Sequence, residues 1–464
     1  MLKVTFKIKN DKMLNIAPTK IIVLSFFILI LIGALLLNLP VASNDNKSIG
    51  FLNALFTATS ATCVTGLVVA DTLTQWSLFG QIVIIILIQA GGLGIITLAT
   101  FFSVLLGRKI RLRGMLLAQE SINHFSFEGV LRLVKKVVLV TFCIELIGAL
   151  ILSISFVPKF GPRGFFIGIF TAISAFCNAG FDIMGDFKSL TEYNGDPIVL
   201  YTVACLIIIG GLGFLVWKDL YEFKRNKSLL LHTKVVLVIT ACLLFGGAVI
   251  FFIFEYTNPA TMGNLNLFEK VNSAIFHSVV TRTAGFNSLP TNEMREISKV
   301  ATIVLMFIGA APGSTAGGIK VTTFGVIILA IIAQIRGYDD TIIFKRRVPH
   351  YVTNKSLAIT GLSALLVLTV TAVLLVAEGA NTKIISMLHD GMFINMLYEA
   401  TSAFGTVGLS TGITYLLGSV SKVFLIITMF LGRVGPVSFA IALTLKSNRT
   451  NTDIVYPEGK IVVG

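Results

Sequence analysis

The chain has 464 residues, 55% of them hydrophobic and 13% charged, with a net charge of +14 and a mean hydropathy of +0.89. Soluble domains carry about 25% charged residues, so this composition excludes a soluble globular protein and puts most of the chain in lipid or membrane-buried protein. The five cysteines are scattered through apolar segments with no CxxC and no histidine at ligand spacing; they give no disulfide framework and read as small packing residues.

Lys3, Lys7, Lys9 and Lys12 precede a first apolar run at 20–39. At roughly 20 residues it is long enough for a bilayer core, and with seven further runs behind it a retained span is expected rather than a signal peptide. A short stretch at 51–61, about three helical turns, leads to FTATSATCVTGLV at 56–68, and a second run at 78–106 is interrupted by Gly91, Gly92 and Gly94. After a basic connection at 108–136 the pattern returns. A run at 134–156 leads to FTAISAFCNAGFD at 170–182, then a run at 200–217 with Gly210, Gly211 and Gly213. It returns twice more, as 235–254, IFHSVVTRTAGFN at 275–287 and 300–332, and as 357–376, YEATSAFGTVGLS at 398–410 and 423–445. Internal repetition of this kind decides a fold before any single motif does.

The reading is an all-α membrane protein of four tandem helix–pore loop–helix units, with eight transmembrane helices and four re-entrant pore helices around one central pore. Its expected organisation is an N-terminal segment at 1–19 and unit one at 20–107, then a basic linker with unit two at 108–218. Unit three follows at 219–335 with an intramembrane loop at 309–323, then a linker with unit four at 336–446 and a tail at 447–464.

If both termini and the inter-unit connections are cytoplasmic, the segments 1–20, 107–136, 218–234, 319–356 and 446–464 hold 26 Lys/Arg against 9 Asp/Glu. That is the positive-inside asymmetry, so the basic charge reads as a topology signal and not as a nucleic-acid surface.

Each short segment ends in a glycine: Gly66, Gly180, Gly285 and Gly408, spaced by 114, 105 and 123 residues. A stretch too short and polar to span, recurring four times, is expected to be a re-entrant pore helix whose irregular continuation lines a water-filled cavity. A dehydrated cation needs oxygen ligands, and backbone carbonyls supply them without titratable groups. The expected filter residues are Val64, Thr65 and Gly66; Asn178, Ala179 and Gly180; Thr283, Ala284 and Gly285; and Thr406, Val407 and Gly408. Glycine at each site allows φ > 0 and close approach to an axis, while the pore-helix C-termini add partial negative charge. Glycines that merely pack helices are the competing reading.

The second helices align on Gly94, Gly213, Gly313 and Gly435, with units one and two keeping plain glycines. Unit three reads GAAPGSTAGGIKVTT from Gly309, where proline and repeated glycine dismantle a helix. A loop that gates the path is expected there, from Gly309, Pro312, Gly313, Ser314, Thr315, Gly317, Gly318 and Lys320, against the alternative of a kinked helix. The register of a phosphate-binding loop fails, because Ile319 separates Gly318 from Lys320. In unit four Arg433 takes the slot of Gly92, Gly211 and Ala311, where a guanidinium must face the interior and find partners. Carbonyls of the broken loop are the expected partners; a structural pair with Glu399 or another helix is the alternative. His277 and Glu145 read as packing or interhelical groups. Asp71, Asp182, Asp186 and Asp196 read as a cation-attracting mouth or as solvated loop charges.

These four segments, GAAPGSTAGGIK in unit three, LGRVGP around Arg433 and YPEGKIVVG at 456–464 resemble the Trk/Ktr/HKT superfamily of potassium transporters, most closely the Ktr-type bacterial membrane subunit. The resemblance covers nearly the whole chain. It implies K⁺ as the transported ion, favoured by Gly66 where Na⁺-passing relatives carry serine, with Na⁺ as an activator and no catalytic residues. It implies a homodimer in the bacterial plasma membrane on a cytosolic ring of nucleotide-binding regulatory subunits, with no nucleotide bound by this chain itself. The loop and Arg433 match the family's gate, the tail after Asp453 matches a segment contacting the dimer partner, and 108–136 is a docking surface or a membrane-surface helix. A secondary carrier with a midplane site predicts polar groups in the spans, which are few here. A membrane enzyme needs a convergent set, which the histidines at 124, 232, 277, 350 and 389 do not form.

Overall fold

The structure, a computed structural model, describes residues 18–105, 130–338, 340–388 and 391–435. The basic connection up to residue 129, the C-terminal tail and the end of the unit-four run lie outside these residues.

Runs of Leu, Ile, Val and Phe with no polar stripe produce helices that are apolar all round, which suits a lipid environment. The first helix of each unit is of this kind: Pro18–Leu37, Val130–Phe160, Leu231–Glu255 and His350–Glu378. Each is long and apolar enough to cross a membrane, and between 17% and 44% of each apolar window is buried in the protein. The remainder, including Leu146, Ile154, Phe245 and Val376, stands open to lipid.

The short segments fold as helices Phe51–Cys63, Arg163–Phe176, Leu267–Val280 and Met392–Gly405. At 13 or 14 residues they reach about 20 Å, too short to span. Their last two turns are almost wholly buried, the serines and threonines included. In unit three the start is fixed by a capping box, in which Asn266 Oδ1 accepts from the Glu269 amide while Glu269 Oε2 accepts from the Asn266 amide.

The second helices differ from expectation in one respect. A break at the aligned glycine is common to the units, not special to unit three. Leu78–Leu93 stops at Gly94 (φ 81°) before Ile95–Leu105, and Pro197–Leu212 stops at Gly213 (φ 89°), where the chain turns by 92° into Phe214–Asn226. Ser419–Val434 stops at Gly435 (φ 89°). In unit three Glu296–Phe307 ends five residues before Pro312 and helix resumes only at Val321–Ile335. Unit three is therefore set apart by the length of its non-helical stretch.

The largest buried cluster joins units one and two through Ile84, Ile88, Phe170, Phe176 and Val203, and reaches Val280, Phe286 and Tyr398. A second cluster joins unit four to unit one through Phe56, Leu67, Phe404, Leu425 and Met429. These clusters place the C-terminal ends of the four short helices at the centre of the molecule. A two-stranded hairpin, Ile342–Ile343 with Arg346–Arg347, lies between units three and four.

Candidate functional site

Helix geometry forces the chain to turn sharply at the end of each short helix, and three of the four turns close alike. In units one, two and four the amide two residues before the glycine (Val64, Asn178, Thr406) donates to a carbonyl three back. The next amide (Thr65, Ala179, Val407) donates to Ser60, Ser174 or Ser402 O at 2.7–2.9 Å. That pairing is the Schellman closure, and it demands a left-handed residue. Val64, Asn178 and Thr406 occupy it at φ 50–60° with no glycine to ease the cost, and Thr283 does so in unit three at 66°. Non-glycine residues held there mark a conformation imposed by the surrounding structure. The sequence reading missed this strained position. It also missed Ser60 and Ser402, whose Oγ atoms accept from the Gly66 and Gly408 amides at 3.1 Å. The recurring Ser-Ala pair in the aligned segments was the available signal.

The expected filter glycines are brought together. Gly66, Gly180, Gly285 and Gly408 have φ between 70° and 91° and line one cavity of about 450 Å³. A Cβ on Gly180 would meet Ala284 O at 2.7 Å, and one on Gly285 would meet Val407 O at 2.6 Å. Likewise a Cβ on Gly66 would strike Ala179 O, and one on Gly408 would strike Thr65 O. Each glycine thus faces the carbonyl preceding the glycine of the next unit, and the fourth faces the first, so the contacts close a ring. With Val64, Asn178, Thr283 and Thr406 one residue before these carbonyls in the chain and all fully buried, the twelve residues form one constriction. Asp71, Asp182 and Asp186 line the cavity above it. Asp196 does not; its carboxylate caps Pro197–Leu212.

Beyond the constriction a second set of glycines packs against the short-helix ends. A Cβ on Gly91, Gly210 or Gly432 would strike the carbonyl of Thr62, Phe176 or Phe404, each four residues before its unit's filter glycine. The expected loop of unit three lies here. Its two ends are tied to each other: Gly309 N donates to Ile319 O at 2.8 Å and Val321 N to Ala310 O at 3.2 Å, a bridge that closes a neck. The body is bonded into the break of unit two, with Ala311 N on Gly211 O at 3.0 Å, Phe214 N on Gly313 O at 3.0 Å and Thr315 Oγ1 on Phe176 O at 3.3 Å. Gly313 and Gly318 turn with positive φ, and Pro312 O lies 2.7 Å from where a Cβ on Gly213 would stand. Ser314 Oγ donates to Ala311 O at 2.6 Å, and Lys320 Nζ donates to Ala316 O at 2.7 Å. Gly317 abuts the Thr406 side chain and Gly318 abuts Gly405, so the loop lies directly against the filter segment of unit four.

Arg433 donates through Nη1 to Thr315 O and through Nη2 to Gly91 O and, at 3.2 Å, Gly92 O. It bonds to the loop and also to another helix, at the break in the second helix of unit one. Glu399 is not its partner: that carboxylate accepts from Ser410 Oγ, the Thr411 amide and Thr414 Oγ1. Glu145 bonds between helices to Gln89 Nε2 at 3.1 Å, and His277 packs edge-on against Phe251 near Thr302 Oγ1.

Comparison with known proteins gives the family and the fold. The sequence model of the TrkH family, cation transport proteins, matches residues 4–452. The Ktr system potassium uptake protein B of Bacillus subtilis is 43% identical over 99% of both chains, and the potassium/sodium uptake protein NtpJ of Enterococcus hirae is 38% identical over 97% of this chain and 98% of its own. The crystal structure of the potassium transporter TrkH from Vibrio parahaemolyticus superposes with a TM-score of 0.70 at 17% identity. It covers 94% of this chain and 87% of the other, a likeness of fold.

Proposed function

Since this chain belongs to the TrkH family of cation transport proteins and is the membrane subunit of a potassium uptake system, we propose that K⁺ passes through the ring closed by Gly66, Gly180, Gly285 and Gly408. The chain is a multi-pass ion transporter and not an enzyme. The observation that carries the proposal is the cyclic contact of each filter glycine with the carbonyl of the next unit. Four carbonyls at one level, from Thr65, Ala179, Ala284 and Val407, supply the oxygen ligands that replace a cation's water. The hydroxyls of Thr65 and Thr406 are buried without a protein partner and add donors of the same hard kind.

In this reading the cavity carrying Asp71, Asp182 and Asp186 is the outer mouth, the positive-inside charge puts the termini and inter-unit connections in the cytoplasm, and an inside-negative potential draws K⁺ inward by about 2.3 kcal/mol per 100 mV. The loop from Gly309 to Lys320, held by Arg433, is the gate. A homodimer and a nucleotide-binding cytosolic ring would act on it from below. The Bacillus relative is named for a Ktr system, in keeping with such a multi-component assembly. Sodium is the activating ion of this reading, and nucleotide binds the ring rather than this chain; the name of the Enterococcus relative gives sodium as an ion taken up beside potassium.

The test is K⁺-limited growth and ⁸⁶Rb⁺ uptake of uptake-deficient cells carrying Gly66→Ser, Gly180→Ser, Gly285→Ser or Gly408→Ser. A side chain at φ 70–91° costs on the order of 1–3 kcal/mol and would also displace a carbonyl ligand. Each substitution is therefore expected to raise the KM for K⁺ about tenfold or more and to relax K⁺ over Na⁺ preference. Four variants with wild-type affinity and selectivity would remove the filter assignment.

A further inference from the structure

One buried charge is left unexplained by this scheme. Arg282 follows the short helix of unit three, one residue before the strained Thr283, and is 5% exposed. The corresponding residues of the other units are Cys63, Cys177 and Gly405, all small and uncharged. Its Nη1 donates to Ile308 O at 2.8 Å, while Nε and Nη2 are buried without a partner. A guanidinium removed from water for a single hydrogen bond is costly, and a small residue fills the same slot elsewhere, so packing does not account for it.

What it holds is informative. Ile308 is the residue at which Glu296–Phe307 ends, and it pairs with Ile319 across the neck of the loop. In units one, two and four the short helix and second helix meet through a glycine against a carbonyl. In unit three Arg282 makes the junction instead, through a hydrogen bond rooted one residue from the filter. The loop is thus fastened by two arginines at two places: Arg433 at its body, on Thr315 O, and Arg282 at its neck.

We propose that Arg282 is the positioning residue that pins the neck of the loop to the filter, so that the loop body swings about a fixed neck when the Arg433 and unit-two contacts release. This rests on the reading of the loop as a gate. Because the neck stays attached, opening displaces residues 311–317 without pulling on Ile308, and the filter of unit three keeps its shape. Without the pin, neck and body move together.

The test is ⁸⁶Rb⁺ and ²²Na⁺ flux in proteoliposomes of the full chain, comparing wild type, Arg282→Lys, Arg282→Gln, Arg433→Ala and the double variant Arg282→Gln/Arg433→Ala. All are first shown to be monodisperse, with thermal stability near wild type. Arg282→Gln is expected to raise Rb⁺ flux about threefold or more with the Rb⁺/Na⁺ ratio unchanged, and Arg282→Lys, which can still reach one carbonyl, to restore most of the block. The double variant should fall short of the product of the single effects, because both arginines restrain one element. If Arg433→Ala raises flux and Arg282→Gln does not, the neck pin is wrong and the gate stands; if neither does, the gate itself is wrong. If Arg282→Gln collapses the Rb⁺/Na⁺ ratio, the residue shapes the filter instead and the pin is overturned. Should Arg282→Gln fail to assemble, Arg282→Lys decides: it keeps one donor for the Ile308 carbonyl, so flux near wild type supports the pin and a leak as large as that of Arg433→Ala overturns it.

Discussion

Asp182 stands two residues beyond Gly180 in the cavity wall, half-buried, where burial pushes its carboxyl up to about 6; the Asp71 carboxylate pushes the same way against bonds from the Met184 amide and Ser189. The other acids of the cavity are differently placed. Asp71 spends both oxygens on the Leu73, Thr74 and Phe187 amides, and exposed Asp186 lies 3.8 Å from Lys188. A carboxyl titrating near 6 carries its charge at pH 7.5 and has lost most of it at pH 5.5. Since K⁺ stabilises the ionised form and H⁺ the neutral one, the two compete, and the KM for K⁺ is expected to rise several-fold (about 1 kcal/mol) as pH falls through that window. Asp182→Asn should show a flat profile at the acid-limit value of the wild type, measured as Rb⁺ uptake at fixed membrane potential. A wild-type KM that does not move between pH 7.5 and 5.5 would take Asp182 out of the pathway. At this scale the four glycines were legible in the sequence, because only four aligned copies could make a glycine informative. The left-handed Val64 and Thr406 were not, since β-branched side chains argue against that conformation and only the closed helix ends compel it.

The helix breaks show where periodicity stops being a guide. In the sequence, Gly91 to Gly94 and Gly210 to Gly213 serve equally well for close packing within a continuous helix. The distinguishing facts are tertiary contacts: the Thr62 and Phe176 carbonyls, from the short helix of the same unit, that occupy the space of a side chain, and the Gly313 carbonyl of unit three that accepts from Phe214 N just past the unit-two break. The loop of unit three was legible because proline and glycine dismantle a helix without outside help, but its closed neck and its bonds into unit two were not. Those bonds make the loop an ordered element: five of its ties are carried by backbone atoms of Gly309, Ala311, Gly313, Thr315 and Val321. Side-chain substitutions along the body should therefore do little, and Thr315→Ala, which leaves the backbone bond to Gly210 O in place, is expected to change flux less than twofold. Removing residues 314–317, which takes away the Thr315 carbonyl that Arg433 holds, should raise Rb⁺ flux through the full chain about fivefold or more. Equal flux in the deletion and the wild type would mean that the loop does not obstruct the path.

A ring made from one chain has to bring its first and last units together, and nothing in the order of residues says which neighbours they will be. The cyclic contacts fix the order: unit one faces two, two faces three, three faces four, and Gly408 of unit four returns to Thr65 O of unit one. The seam between four and one is sealed by the cluster of Phe56, Leu67, Phe404, Leu425 and Met429 and by Lys422 Nζ on Asn53 Oδ1 at 3.0 Å. Two such chains could in principle exchange a unit across that seam, since a swapped unit would find the same surfaces. The connections argue against exchange: the short helix of unit four also packs on Glu296–Phe307 of unit three, which leads through Val321–Ile335 and a short connection into His350–Glu378, so a swapped unit would have to leave this second interface too. The seam is therefore expected to close within one chain. In a background with Cys63, Cys143, Cys177, Cys205 and Cys242 replaced, Asn53→Cys with Lys422→Cys should react with a short bis-maleimide to give a faster-migrating monomer, a loop closed over 369 residues. Rb⁺ uptake should survive, because the bridge lies at the rim and not at the glycines. A crosslinked product of dimer size alone would show that unit four of one copy completes the ring of another, and the pathway would then belong to the pair and not to the chain.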